Sequence, residues 1–412
     1  MKKQSASRRA FLQGGAALAA SGASPGLRVM RSAHAATGTP RTLIVIHLAG
    51  GNDTLNTVVP YTDPDYYAAR QLLAVPAAQV LPINAQQGLH PAMTAIKALY
   101  DRSKVAIVNG VGYPSFDYSH FQAMQIYWTA DPARRTPTGW LGRSLDTAVA
   151  GVISGGGTPD VLTGAAIGSG LPQSLIGRSF GSPVLPGRAS SFKLPATDDL
   201  QSVALSRILQ QQPLVTNGSF NTILRNNRAA IGALATVKQA GATISSVVYP
   251  NESFAQSLQF AAQLLRVDSQ IQIIAMQQGS YDTHENQYVR QATELGELSA
   301  GIGAFMSDLE ATGLSGRVMI LLWSEFARRV MPNASAGTDH GSAQALMLIG
   351  DGVRAGVLGS PASLKPENLV DDGNLPMTTD FRQVYATLLS GWLGLNASSI
   401  LGADFGTLPI LL

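Results

Sequence analysis

Apolar residues in this chain gather in short unbroken runs. Thr42 to Leu48 is one, β-branched and apolar almost throughout, and it stops at Gly50-Gly51-Asn52. Val105 to Val111 is a second and Ala165-Ala166-Ile167 a third; Ile271 to Met276, Val318 to Trp323 and Ala345 to Ile349 follow. Runs of this length, mostly bounded by Gly, Ser or Asp, predict buried strands. The stretches between them carry helical patterns over His120 to Thr129, Asp198 to Gln211, Asn221 to Ala240, Ser253 to Leu265, Glu285 to Leu309 and Asp380 to Leu393. Strands apolar on both faces, alternating with helices, predict an α/β fold: a doubly wound, mostly parallel sheet flanked by helices. Residues 151–198 are rich in Gly, Ser and Pro and read as loops and a small insertion within one domain spanning 41–412.

Composition sharpens this. Apolar residues make up 45% of the 412 and charged residues only 13%, against about 25% charged in an average domain. A disordered chain has the reverse balance. The net charge is +3, but residues 1–35 hold six basic groups and no acidic one. The remainder has 23 basic and 26 acidic groups, a net of −3. A nucleic-acid partner is therefore not expected. The absence of Cys excludes disulfides, thiolate nucleophiles and Cys-ligated metals. No stretch offers the roughly 20 apolar residues of a membrane span.

The basic leader has its own grammar. Ser7-Arg8-Arg9-Ala10-Phe11-Leu12 resembles a twin-arginine export signal, a Gly/Ala-rich stretch follows, and Ala33-His34-Ala35 offers a cleavage site. The expected destination is the periplasm or the exterior, with the twin-arginine translocase as the partner during export.

Polar clusters follow the predicted strands, where open α/β sheets collect their chemistry. They are Gly50-Gly51-Asn52-Asp53, Ser119-His120-Phe121, Tyr281-Asp282-Thr283-His284, Ser324-Glu325-Phe326-Ala327-Arg328 and Gly337-Thr338-Asp339-His340-Gly341. Asp53, Asp282, Glu325 and Asp339 with His284 and His340 suit a divalent ion such as Zn, Mn, Mg or Ca. Without a cation such carboxylates would repel one another. Ser119 opens a helix, where free N–H groups favour an oxyanion. Plainer roles compete. Asp53 fits a turn, Ser119 an N-cap, Glu325 a buried ion pair with Arg328, and Asp339-His340 a turn. His47 and His90 read as singly satisfied histidines.

In these pieces, taken in order, the sequence resembles the domain of unknown function 1501 family, with Gln287, Asn333 and Gly341 also matching. Ala327 and Gly279-Ser280-Tyr281 depart slightly from that pattern. The family looks like a distant branch of the alkaline phosphatase and sulfatase superfamily. The resemblance implies an alkaline-phosphatase-like fold with a metal-dependent phosphate- or sulfate-ester site. It implies Ser119 as nucleophile, Asp53, Asp282, His284, Glu325, Asp339 and His340 as the metal shell, and Asn52, His120 and Arg328 on the substrate. Asn286 and Phe326 stand where the superfamily has His, so a two-zinc site is not expected. A formylglycine sulfatase is disfavoured, since neither Cys nor Ser-x-Pro-x-Arg is present. A non-catalytic exported scaffold with a degenerate site is the alternative, and a serine esterase is a third class, without a Gly-x-Ser-x-Gly elbow.

Overall fold

The computed structural model describes residues 40–191, 218–371 and 373–412. The leader and the predicted helix Asp198 to Gln211 lie outside them. Among the described residues, nine strands form the main sheet. In chain order they are β1 (Thr42–Leu48), β2 (Val105–Gly112), β3 (Gly164–Ile167), β4 (Val184–Leu185), β5 (Ile273–Gln278), β6 (Val318–Trp323), β7 (Gln344–Ile349), β8 (Gly356–Leu358) and β9 (Thr379–Asp380). The spatial order is β8-β2-β7-β6-β1-β5-β3-β4, with β9 also paired to β2. Every pairing is parallel except the two made by β7, which runs antiparallel to β2 and to β6. The strands expected at Thr42 and Val318 match the observed bounds, and Ala345 to Ile349 is extended by Gln344.

Helices cover both faces, and β1 shows why. Its side chains alternate with the two-residue period of a strand. Ile44 and Ile46 enter one core with residues of α2 (Thr94–Asp101), α7 (Ser253–Val267) and α8 (Gln287–Ala311), where α1 is Pro64–Arg70. Leu43 and Val45 enter the other, with α3 (His120–Thr129), α4 (Trp140–Ser154) and α9 (Phe381–Thr387). The pattern over Asn221 to Ala240 resolves into two helices, α5 (Gly218–Gly232) and α6 (Leu234–Gly241). The pattern over Asp380 to Leu393 ends as a π-helical turn, Leu388–Trp392. The stretch expected to be loops and an insertion supplies β3 and β4, and α4 reaches into it. A small three-stranded sheet of Val58–Val59, Leu81–Pro82 and Gly88–Leu89 lies outside the sequence reading.

This topology sends the loops after β1, β2, β5 and β6, and the one before the reversed β7, to a single edge. All five polar clusters lie on those loops. Gly50 and Gly51 turn the chain there with φ of 111° and 79°, values open to Gly. A side chain on Gly50 would strike the Tyr281–Asp282 backbone, and one on Gly51 the ring of Phe326.

Candidate metal centre

His120, Asp282 and His340 each bring one ligand atom to within 4.8 Å of the others. His120 is the first residue of α3, Asp282 lies in the loop after β5, and His340 precedes β7. Their separations are 3.5 Å from His120 Nε2 to Asp282 Oδ2 and 3.4 Å from His340 Nε2 to Asp282 Oδ1. His284 joins them, with its Nε2 at 3.0 Å from Asp282 Oδ1 and 3.0 Å from His340 Nε2. Ligands about 2.0–2.1 Å from a tetrahedral ion stand about 3.3 Å apart, close to the His120–Asp282 and His340–Asp282 separations, which engage the two different oxygens of the carboxylate.

The imidazoles are oriented from behind. His120 Nδ1 bonds Glu325 Oε1 at 2.8 Å, His284 Nδ1 bonds Asp339 Oδ1 at 3.1 Å, and His340 Nδ1 donates to the Tyr118 carbonyl at 2.7 Å. With an acceptor at Nδ1, each neutral ring carries its proton there and turns the Nε2 lone pair inward. This is the arrangement that fixes metal-ligating histidines. The lone pairs of His284 and His340 then face each other, and Arg328 Nη1, 3.5 Å from His284 Nε2, sets one positive charge beside them. Burial, together with the charge of Arg328, pushes the His340 imidazole below its ordinary pKa and disfavours the proton there. The donor set therefore fits a divalent ion. Half-exposed Asp282 and His284 keep the centre open to solvent on one side.

Glu325 is the buried keystone. Its Oε1 accepts from His120 and from the Gly50 N–H at 2.9 Å, and its Oε2 from His47 Nε2 at 2.8 Å and from Ser324 Oγ at 3.1 Å. Burial opposes its ionisation, but the bonds to His120 and His47 outweigh burial and hold it far below the usual carboxylate range. Those same contacts with Glu325 raise His120. Asp282 is likewise held low: burial opposes ionisation, and the hydrogen bond and charge of Arg328 overcome it.

Several expected roles are corrected by these contacts. Asp53 is not in the cluster: it is buried, and Arg70 grips its two oxygens at 2.5 and 2.8 Å. Gln287 Nε2 takes Oδ2 at 2.5 Å, and Oδ1 caps the turn at Leu55. Its carboxylate has no side left for a metal. Glu325 and Asp339 hold imidazoles where direct ligation was expected. Arg328 is not a substrate clamp. It is buried, and its guanidinium donates to the carbonyls of Gly50, Gly51, Tyr281 and Thr338 and to Asp282 Oδ1 at 2.5 Å. Asn52 is buried as well, its Oδ1 accepting from Thr57 and Gln291. His120, assigned to substrate, faces the metal set. Ser119 is the N-cap of α3, and its side chain makes no cap bond. The sequence reading missed His47 as part of the site and Arg70 altogether; the first had a signal, since it ends β1 on the same edge.

A family model described as Protein of unknown function (DUF1501) matches residues 216–402, which carry Asp282, His284, Glu325 and His340 but neither Asp53 nor His120. No curated protein matches the sequence. Among solved structures, the chain is similar to the C-terminal periplasmic domain of EcEptC from Escherichia coli, in complex with Zn. Identity is 10%, the coverage is 78% of this chain and 74% of that one, and the TM-score is 0.36. The lipoteichoic acid synthase LtaP from Listeria monocytogenes gives 9%, 89%, 73% and 0.35 in the same order. A protein in the alkaline phosphatase superfamily from Vibrio parahaemolyticus gives 8%, 79%, 64% and 0.37. Among the described residues, no helix is long and apolar enough to cross a membrane.

Proposed function

We propose that this chain is an exported, metal-dependent hydrolase of phosphate or sulfate esters and belongs to the DUF1501 family. The observation that carries the metal is the set of inward Nε2 atoms on His120, His284 and His340 around Asp282, each ring tied at Nδ1. When bound, the ion would polarise an ester oxygen and activate a nucleophile. The chain's own residues hold the rings in one tautomer through Glu325, Asp339 and the Tyr118 carbonyl. Ser119, beside His120 and uncommitted as a cap, is the proposed nucleophile. The free N–H groups of the first turn of α3 favour the oxyanion it would attack. Export rests on Ser7 to Leu12 and Ala33-His34-Ala35, with the translocase as the transient partner.

One observation favours the second reading, a non-catalytic exported scaffold. Arg328 already places a positive charge 2.5 Å from Asp282. Metal content of the purified full chain, measured with turnover of 4-nitrophenyl phosphate and 4-nitrophenyl sulfate, decides between them. The hydrolase reading expects one tightly held ion per chain, lost in Asp282→Asn and His340→Ala, and turnover abolished in Ser119→Ala. A well-folded chain that takes up neither Zn, Mn, Mg nor Ca and turns over neither ester overturns it.

A further inference from the structure

A cavity of about 230 Å³ opens beside the metal centre, at the carboxyl ends of β1, β3, β5 and β6. Val45, Ala275, Trp128, Trp323, Leu171 and Pro172 are among the residues that line it. The lining contains no Asp, Glu, Lys or Arg. It therefore offers no counter-charge to a phosphate or sulfate and suits an uncharged group. Its size exceeds the ~150 Å³ of an engineered apolar cavity that accepts benzene. Its walls are flat. His47 lies on Trp323 with centroids 4.3 Å apart and planes 16° from parallel, and it meets Trp128 edge-on at 77°. Exposed Ser169 and Gln277 border the opening, so a hydroxyl on the occupant would meet polar partners there. The lip is unobstructed, since a side chain added at Gly170 would meet no atom within 4 Å.

We propose that this cavity binds a neutral aromatic ring of the phenol class. The inference rests on the cavity alone and holds whether or not the chain hydrolyses esters. Its position has a chemical corollary. His47 lines the cavity and bonds Glu325, and Glu325 bonds His120, so one carboxylate separates the ring's site from the metal set. The ring can be supplied by the leaving group of an aryl ester or by a free phenol.

Calorimetric titration of the full chain with 4-methylphenol tests this, with 4-methylcyclohexanol as the saturated control of matched size. Saturable one-to-one binding of the phenol is expected, at least about tenfold tighter than that of the cyclohexanol. Ala275→Leu, which adds bulk to the lining, and Ser169→Trp, which adds bulk at the exposed rim, should each weaken the phenol at least about tenfold. The exposed position of Ser169 keeps the second variant informative where the first does not fold. No saturable binding, equal binding of the two probes, or unchanged binding in a natively folded Ser169→Trp protein overturns the proposal. Competitive inhibition of 4-nitrophenyl ester turnover by 4-methylphenol identifies the leaving group as the ring's source, and binding without inhibition identifies a free phenol. Absence of turnover with intact phenol binding removes the hydrolase reading and leaves this one standing.

Discussion

Asp53 and Asp282 follow neighbouring parallel strands, β1 and β5, and each meets an arginine. From there they diverge. Asp53 is sealed: both oxygens are held by Arg70, and the two side chains are 1% and 0% exposed. Asp282 keeps 42% of its side chain exposed, and Arg328 engages its Oδ1 while its other donors reach backbone carbonyls and His284 Nε2. The first arginine neutralises a carboxylate and closes a core. The second shapes three loops and leaves its carboxylate oxygens beside imidazoles. An acidic residue after a strand is thus chemical or structural according to what its arginine does with its remaining hydrogen bonds.

The sharpest way to break this contrast is Arg70→Met. It strands a buried carboxylate, and the expected loss of stability is about 3–5 kcal/mol, read as a lowered midpoint in urea unfolding. A variant as stable as the parent would mean that Asp53 is not sealed. The same region should also respond to pH. Burial pushes His90 down to about 4 from its ordinary 6.5, against the opposing charge of Asp53. Between those values the unfolded chain binds a proton that the folded chain refuses. Stability should therefore fall as pH drops through that window, by on the order of 3 kcal/mol from this group. His90→Gln should flatten that part of the profile; an unchanged slope would remove His90 as its source.

On the open side the effects should appear in metal affinity with the fold intact. Glu325→Gln replaces the charge behind His120 and His47, and an affinity loss of about 10–100-fold is expected from dialysis against competing chelator. Asp339→Asn acts on a single imidazole, that of half-exposed His284, and should cost less than Glu325→Gln. If the order is reversed, His284 carries more of the ion than His120.

Much of the scaffold was legible because it follows from short-range patterning. The runs at Thr42 and Val318 are apolar on both faces and could only be interior strands. That Asp282, His284, Glu325 and His340 lie on loops beside strands was legible too, but the strand order that brings those loops to one edge was not. Which of them face an ion was not legible, because ligand and support differ by an ångström or two of side-chain placement. Glu325 and Asp282 look alike in the sequence, and only the packing of His47 and His120 separates them. Arg70 left no trace: it ends a helix 17 residues beyond its partner. Trp140 to Ser154 forms a helix although its later half runs into Gly- and Ser-rich sequence, where the aromatic packing of Trp140 on Tyr385 fixes the first turn.

The guanidinium of Arg328 also sets an order of events. It joins its own loop to Gly51, 277 residues earlier in the chain, and to Tyr281, 47 residues earlier. Contacts that close such long loops form slowly and late. His120 and His340 are separated by most of the sheet's sequence, so an emerging chain holding only its first half owns one imidazole of the set. Capture of the proposed ion would thus be among the last steps of maturation, after β6 and β7 have docked, and the compartment in which folding ends would decide which metal the chain first meets.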